Sequence, residues 1–371
     1  MTDLSHMRVA LLNPCFWPEV RRGSERFARE LADGLIVRGH RPRLITSHPG
    51  WPTCTVEEGL EVRRVWRPPH RRLDRRLYEE HLTHVPFSYL ALLRGEDDIA
   101  HSLYPSDALA AGRWARRSGR PTVLSYMGIP HRQGLANRRL RVKTMLGAVA
   151  ASDLVVALSR TAAQGFERWL GVRPRVIHPG VDLTAFTPGA GRASEPTIVC
   201  GADVTAPRKR VALLIEAFAR VRREHPSARL VLSRPRQSSA AATLAGRVGP
   251  GVEWRDLDDR AALARANREA WVAALPSIGE AFGLVVVEAL ACGTPVVVSD
   301  REALPEIVDR PEIGVRFAGD EVRSLAGALL QGLELARDPG TVAACRRRAQ
   351  DFSIDRCVKA YEDLYSELLE R

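Results

Sequence analysis

The stretch Val9–Thr46, VALLNPCFWPEVRRGSERFARELADGLIVRGHRPRLIT, sets the fold of the first half of the chain. Its start, Val9–Asn13, is a short apolar run typical of a buried strand, and a turn-rich loop follows it. A strand-like run at Arg43–Thr46 closes the stretch, and strand, helix and strand together make a βαβ unit with parallel strands. The sequence therefore predicts a doubly wound α/β domain. The helix is indicated by apolar residues at every fourth position: Phe27, Leu31 and Leu35.

The second half of the chain repeats this plan. Strand-like runs alternate with helical patterns, beginning with Thr197–Cys200 and Val211–Arg223. The stretch 188–196, rich in Pro, Gly, Ala and Ser, separates the halves and is predicted to be a linker. We therefore expect two Rossmann-like domains and a C-terminal helix, over residues 1–187, 197–352 and 353–371.

The length and composition are those of a two-domain globular protein. A chain of 371 residues can form two cores with a cleft between them. Hydrophobic residues make up 45%, yet no apolar run reaches the roughly 18 residues that a membrane-spanning helix needs. The first residues lack the apolar segment of a secretory signal, so the cytoplasm is the expected location. The six cysteines form no C-x-x-C pair, which predicts neither a disulfide framework nor a metal site.

The net charge is strongly positive, and nearly all of the cationic residues are arginines. The formal charge is +11, and of the 55 cationic residues only Lys143, Lys209 and Lys359 are lysines. Such a preference for arginine indicates a coding bias, and nucleic acid is not an expected partner. The basic stretch Arg63–Tyr78, which also carries aromatic residues, leaves alternatives open. It could contact the inner face of an anionic membrane peripherally, grip an anionic acceptor, or form a solvated helix face.

Two carboxylates mark the stretch Pro276–Pro295. Glu280 and Glu288 are separated by seven residues across a predicted strand–loop–helix junction. A helix that begins near Gly283 has free amides in its first turn, which suit a diphosphate, and Glu288 can then reach a ribose diol. An isolated pair of glutamates at this spacing is usually an ordinary loop residue and helix-surface residue, so the surrounding sequence has to decide.

The surrounding residues resemble the donor-site signature of the retaining glycosyltransferases of family 4. The matching positions include Ser277, Glu280, Glu288-Ala289 and Gly293–Val297. The resemblance implies a GT-B fold, with two Rossmann-like domains facing a central cleft and a final helix that crosses back to the first domain. It also implies that Glu280 binds hydroxyls of the donor sugar and that Glu288 holds the ribose. Four further residues are expected at the nucleotide-sugar donor: Phe282, Gly283, Leu284 and Val285.

A second match lies at Gly201–Arg210. In this family an arginine and a lysine here usually point at the donor phosphates, and Lys209 fits the lysine. Its expected task is to neutralise the charge that builds on the departing diphosphate, without a metal or other cofactor. Ala202 and Asp203 occupy the usual arginine position, so the chain departs from the pattern. Either Arg208 supplies the missing cation or it is a solvated residue near the helix start.

The first domain matches less well. Gly23, before the first helix, resembles a family glycine that lets a phosphate or acceptor approach the backbone, although Arg22 replaces a second glycine. Met127 stands where the family commonly has a histidine facing the donor sugar. A thioether neither donates a hydrogen bond nor takes a proton, which puts that contact or the activity in doubt. His131 is interpreted as a loop residue rather than its replacement.

These observations predict a retaining glycosyltransferase. It would move a hexose or N-acetylhexosamine from a nucleotide-diphosphate sugar, with UDP the expected nucleotide, to a hydroxyl on a glycan, lipid-linked or small natural-product acceptor. Domain closure would exclude water, and the leaving diphosphate would help to remove the acceptor proton. Two alternatives stay open. They are an epimerase or hydrolase on the same fold, and a non-catalytic protein that binds sugar nucleotides.

Overall fold

The computed structural model describes residues 6–19, 23–69, 71–235, 246 and 248–371. The chain divides into two compact units, one formed by Met1–Gly180 with Ile354–Arg371 and the other by Val181–Ser353. In this described part, no helix is both long enough and apolar enough to cross a membrane.

The first unit is built on a largely parallel sheet whose central strands are almost wholly buried. The order is β3-β4-β2-β1-β5-β6-β7-β8, and only β3 runs antiparallel to its neighbour among the described strands. Because the order reverses at β1, the loops after β1 and β5 diverge to opposite faces at this point. The strands are β1 Arg8–Leu12, β2 Arg41–His48, β3 Thr53–Glu57, β4 Leu60–Trp66, β5 Ile99–Ser102, β6 Thr122–Tyr126, β7 Leu154–Ala157 and β8 Arg175–Val176.

Helices cover this sheet and bury its apolar side chains. The first, α1, packs its stripe of Phe27, Leu31 and Leu35 against the core, as the periodicity predicts. The helices are α1 Gly23–Val37, α2 Arg71–Arg75, α3 Val85–Leu93, α4 Pro105–Ser118, α5 Arg132–Ala136, α6 Arg141–Ala150 and α7 Arg160–Leu170.

A hairpin at the edge of the first sheet is not predicted by the sequence analysis. Strands β3 and β4 pair antiparallel from Thr53↔Arg64 to Glu57↔Leu60. Their two-residue turn places Glu58 at φ 48° and Gly59 at φ 84°, the left-handed conformations that tight hairpins require. The dipeptide Glu58-Gly59 was the available signal. It is weaker than Asn-Gly or Asp-Gly, because glutamate rarely adopts a positive φ.

The second unit has a wholly parallel sheet within its described residues. The order is β11-β10-β9-β12-β13-β14, so it reverses at β9. The strands are β9 Thr197–Cys200, β10 Arg229–Ser233, β11 Val252–Arg255, β12 Val272–Leu275, β13 Val296–Ser299 and β14 Gly314–Phe317. The helices are α8 Val211–Glu224, α9 Arg260–Glu269, α10 Leu284–Ala291, α11 Leu304–Ile307, α12 Val322–Leu335 and α13 Thr341–Gln350, with 3₁₀ turns at Pro207–Lys209 and Pro311–Ile313.

The boundary between the units differs from the predicted one. The division falls at Gly180, and the predicted linker 188–196 lies inside the second unit. Hydrogen bonds hold it there: the amide of Ala193 donates to the carbonyl of Glu269 at 2.9 Å, and the indole of Trp271 donates to the carbonyl of Ala193 at 2.8 Å. Composition alone suggested a linker, but backbone groups paired in this way make the segment part of a domain surface.

The final helix, α14 (Ile354–Leu369), belongs to the first unit. Tyr361 and Tyr365 are fully buried, and Tyr361 packs edge-on against Phe27 of α1 at a centroid distance of 5.9 Å. The hydroxyl of Tyr365 hydrogen-bonds Nδ1 of His101 at 2.6 Å, and the hydroxyl of Tyr361 hydrogen-bonds Ser125 at 2.9 Å. The helix therefore completes the core of the unit in which the chain began.

Candidate functional site

Two loops of the second unit meet at the carboxyl ends of adjacent parallel strands. One follows β9 and contains the 3₁₀ turn Pro207–Lys209, and the other follows β12 and leads into α10. The amide of Ile278 in the second loop donates to the carbonyl of Arg208 in the first, at 2.9 Å. Since the sheet order reverses at β9, this is the edge where doubly wound sheets bind ligands.

Glu280 is the centre of a charged cluster formed by these loops. Its Oε1 accepts from Nζ of Lys209 at 2.5 Å and from Nη1 of Arg208 at 2.7 Å. The side chains of Glu280 and Lys209 are only 8% and 12% exposed, whereas that of Arg208 is 51% exposed. Burial would raise the pKa of Glu280, but the charges of Lys209 and Arg208 hold that pKa below its ordinary value. The cluster thus holds an ionised carboxylate against two cations.

Helix α10 begins directly after this loop. Gly283 precedes it at φ 121°, where side chains are strained, and a Cβ there would lie 2.9 Å from Cδ2 of Leu304. The amide of Val286 donates to the carbonyl of Gly283 at 2.9 Å, so the amides before it open the helix, as expected of a first turn. Glycine is therefore required at the position from which these amides are presented.

The remaining predicted residues of this stretch differ in accessibility. Phe282 is 3% exposed and packs edge-on against Phe352 at 5.3 Å, so only its main chain can face a ligand. Leu284 and Val285 are half-buried in the first turn of α10. Glu288, in the next turn, has no exposed surface. A contact between Glu288 and a ribose stays a prediction, and it requires the carboxylate to become accessible.

Arg210 is a residue that the sequence analysis missed. It follows Lys209 in the left-handed conformation, at φ 55°, directly before α8. Its Nη2 lies 3.0 Å from Oδ1 of Asp320, while its buried Nη1 has no hydrogen-bond partner among the described residues. The run Arg208-Lys209-Arg210 was the signal. The sequence alone does not show which of the two arginines beside Lys209 is the more buried. In the structure it is Arg210, whose side chain is 12% exposed.

The predicted residues of the first unit have simpler surroundings than the Glu280 cluster. Gly23 is exposed at the start of α1, with nothing within 4 Å of an added Cβ, while Arg22 lies outside the described residues. Met127 is partly buried and packs on the core of this unit. Nδ1 of His131 accepts from the amide of Gly134 at 3.1 Å, which caps α5. A ligand contact at Gly23 stays a prediction.

The basic stretch Arg63–Tyr78 does not form one helical face. It comprises the end of β4, a loop and α2, of which His70 and the side chains of Arg71 and Arg72 lie outside the described residues. Arg64 bonds Glu57 at 2.6 Å, and the largely buried Arg67 pairs with Glu19. Arg64 and Arg67 are thus turned towards carboxylates, whereas Arg75 and Arg76 are exposed, and peripheral contact with a membrane stays a prediction.

Comparison with known proteins identifies the family. Residues 21–185 match the family model described as Glycosyltransferase Family 4, and residues 195–334 match Glycosyl transferases group 1. A D-inositol 3-phosphate glycosyltransferase of Geodermatophilus obscurus is 32% identical over 357 residues, which cover 85% of this chain and 77% of that protein. One from Mycolicibacterium vanbaalenii is 30% identical, with coverages of 85% and 78%. The chain belongs to the family 4, or group 1, glycosyltransferases.

Solved structures show the same fold at lower identity. Sucrose-phosphate synthase from Thermosynechococcus elongatus superimposes with a TM-score of 0.81 at 21% identity, covering 98% of this chain and 99% of that one. Anabaena HepE, in complex with UDP-glucose, gives 0.79 at 17% identity, covering 98% and 100%. The predicted GT-B fold, with two parallel-sheet α/β domains, is thereby confirmed, and membership of the family confirms the class of enzyme, a glycosyltransferase.

Proposed function

We propose that this chain is a retaining glycosyltransferase that transfers a hexose or N-acetylhexosamine from a UDP-sugar to an acceptor hydroxyl. The observation that carries the proposal is the cluster of Glu280, Lys209 and Arg208 beside the start of α10. It combines cations for a diphosphate, free amides for its oxygens and a carboxylate for sugar hydroxyls. The acceptor class is a glycan, a lipid-linked sugar or a small natural product.

Donor binding would exchange the partners within this cluster. In the structure Lys209 is bound to Glu280. A diphosphate would take the ammonium of Lys209 as its own partner, which frees the Glu280 carboxylate to accept hydrogen bonds from the sugar. Arg208, more exposed than Lys209, would follow the phosphates. The two cations then stabilise the negative charge that develops as the sugar–phosphate bond breaks, and the proposal requires no metal for that step.

The other predicted residues would fix the donor around the diphosphate. The amides that open α10, at Leu284 and Val285, point away from their own helix and suit the phosphate oxygens. Glu288 would hold the ribose after a local rearrangement, because its side chain has no exposed surface. Gly23 would let a phosphate or acceptor approach the start of α1.

At the anomeric carbon the proposed chemistry forms one bond, to the acceptor oxygen, and breaks one, to the phosphate oxygen. The acceptor oxygen attacks the anomeric carbon on the face from which the diphosphate leaves, so the configuration is retained. The acceptor proton passes to the departing phosphate oxygen, which keeps the charges balanced. Support for the UDP-sugar is that HepE, of the same fold, is seen with UDP-glucose. Support for a hydroxyl acceptor is that the relatives act on inositol phosphate, as their names state.

The test begins with donor binding and ends with product analysis. Thermal shifts with UDP-, GDP- and ADP-sugars will identify the donor, because a ligand that binds the native state raises the unfolding temperature. We expect Glu280→Ala to lower the transfer rate by roughly 100-fold, the scale of a lost transition-state contact. The control is Glu312→Ala, at an exposed glutamate of the same unit. An unchanged rate for Glu280→Ala would contradict the site.

The products separate the two alternatives that the sequence leaves open. Donor consumed equally with and without acceptor indicates an epimerase or hydrolase. Tight donor binding without turnover across an acceptor panel indicates a non-catalytic protein, the reading that Met127 favours. An inverted anomeric centre in the product, read by proton NMR, would overturn retention.

A further inference from the structure

The first unit contains a pocket that is not part of the proposed donor site. It has a volume of about 500 Å³ and lies where β1 and β2 end, with the β3–β4 hairpin as one wall. That volume is within the roughly 300–1,000 Å³ of small-molecule sites. Its lining includes Phe16, Trp17, Thr46, His48, Trp51 and Arg64.

Aromatic rings form much of the pocket surface. Phe16 and Trp17 are stacked, with centroids 5.4 Å apart and an interplanar angle of 18°. Trp51 is 90% exposed, although tryptophan is on average a highly buried residue. An exposed indole at the mouth of a pocket offers a flat apolar face to a ring-shaped ligand, and stacking on it supplies much of the binding energy.

The charged groups of the pocket are already neutralised. Arg64 donates to both carboxylate oxygens of Glu57, at 2.6 and 3.3 Å, and to the carbonyl of Trp17 at 2.8 Å. Glu19, also in the lining, is paired with Arg67. A phosphate would have to break these pairs to obtain a cation, at a cost that a neutral ligand avoids. The pocket therefore favours a ligand without charge.

Two polar groups are left for such a ligand. Thr46 is 2% exposed, and its hydroxyl has no hydrogen-bond partner among the residues that the structure describes. A buried hydroxyl in that state costs free energy, which a ligand hydroxyl would recover. Nδ1 of His48 accepts from the amide of Gly50 at 3.0 Å, so the proton of the neutral ring lies on Nε2, where it can be donated.

We propose that this pocket binds a neutral sugar ring, stacked on Trp51 and hydrogen-bonded through Thr46 and His48, as the recognition subsite for the acceptor. A pyranose combines an apolar C–H face with an edge of hydroxyls, which matches an indole beside neutral polar groups. The assignment to the acceptor rests on the proposed function, whereas the binding of a neutral sugar does not.

The binding test uses fluorine NMR on the chain labelled with 5-fluorotryptophan. The seven tryptophans give separate probes, and the signal of Trp51 is assigned from Trp51→Phe. Methyl α-glucopyranoside, methyl β-galactopyranoside, maltose and cellobiose are titrated to high millimolar concentration. We expect at least one to shift the Trp51 signal saturably while the signal of Trp169, on α7, stays in place.

Variants separate stacking from general effects. Trp51→Ala should weaken saccharide binding about tenfold, since an aromatic anchor is lost from an exposed position that folding does not need. Thr46→Val, which keeps the shape, should weaken it about threefold to tenfold. Trp169→Ala, at another exposed tryptophan of the same unit, should leave it unchanged.

Three results would overturn the inference. They are no saturable shift at Trp51 with any saccharide, equal affinity in Trp51→Ala, and a shift by D-inositol 3-phosphate or inorganic phosphate at lower concentration than by the neutral saccharides. Thermal shifts with UDP-sugars distinguish the two proposals. If donors stabilise the chain and saccharides do not reach Trp51, the pocket assignment fails and the function stands. If saccharides shift Trp51 and no donor binds, the function fails and the pocket stands.

Discussion

The carboxyl ends of the strands carry side chains of different charge in the two units. In the second unit the loops after β9 and β12 bring Glu280, Lys209 and Arg208 into one ionised cluster. In the first unit the ends of β1 and β2 are lined by aromatic rings and by arginines that carboxylates neutralise. Doubly wound topology determines where loops converge, but the side chains on them decide whether the ligand is charged. The second unit thus has a charged candidate site, and the first unit has a pocket whose charges are neutralised.

The glycines at the starts of α10 and α1 also differ between the two units. Gly283 precedes α10 at φ 121° with Leu304 beside it, whereas Gly23 begins α1 in open space. The glycine of the second unit is imposed by backbone conformation and packing. The glycine of the first unit is not, so only a ligand that approaches the backbone would demand it.

The largest expected effect is on the charged cluster. Lys209→Ala should lower kcat roughly 100- to 1,000-fold, because the diphosphate loses its most buried cation in the transition state. Lys209→Arg should recover part of that loss. Steady-state kinetics with the identified donor is the measurement, and the control is Lys359→Ala, a lysine 56% exposed on α14. A kcat within threefold of wild type would remove Lys209 from the site.

The two glycines sharpen the comparison through stability. Gly283→Ala should lower the free energy of unfolding of the second unit by about 2–3 kcal/mol, from the strained φ and the contact with Leu304. Gly23→Ala should change the free energy of unfolding by less than about 0.5 kcal/mol. Urea unfolding followed by fluorescence measures both. Equal losses at the two positions would contradict the contrast, and reduced activity in a stable Gly23→Ala would place a ligand there.

A buried histidine makes the first unit sensitive to acid. Burial lowers the pKa of His101 to about 3 in the folded state, against about 6.5 when unfolded. The unfolded chain therefore binds the proton first, and stability is lost as the pH falls below 6.5. Between pH 8 and pH 5 the loss should be about 2 kcal/mol. His101→Gln should flatten this dependence in urea unfolding, and an unchanged slope would show that other groups cause it.

The smallest loss of activity is expected at Arg208. Its side chain is 51% exposed, so water screens its charge more than that of Lys209. Arg208→Ala should lower kcat/KM about threefold to tenfold. Arg210→Ala is the informative companion, since Arg210 is the more buried arginine. A larger loss at Arg210 than at Arg208 would transfer the role of the family's missing arginine to Arg210.

Much of the fold follows from local pattern. The stripe of α1 and the strand at Thr197–Cys200 lie where the sequence analysis places them, and the final helix Ile354–Leu369 falls within the expected 353–371. A periodic run of apolar residues encodes its own burial. The β3–β4 hairpin escaped because its turn residues are weak signals. The limits of the linker differ from the prediction because the backbone of Ala193 is hydrogen-bonded to Glu269 and Trp271, residues far along the chain.

The sequence by itself determined the parallel α/β plan, the family and the carboxylates and lysine of the donor motif. Only the tertiary structure shows that Glu280 contacts Lys209, 71 residues away in the sequence. Only the tertiary structure shows that Arg64 and Arg67 form ion pairs with carboxylates, and that Thr46 and Trp51 line the same pocket. Periodicity records how each element is buried, which is a local property. Pairings between loops depend on strand order and on loop paths, which no single stretch of sequence records.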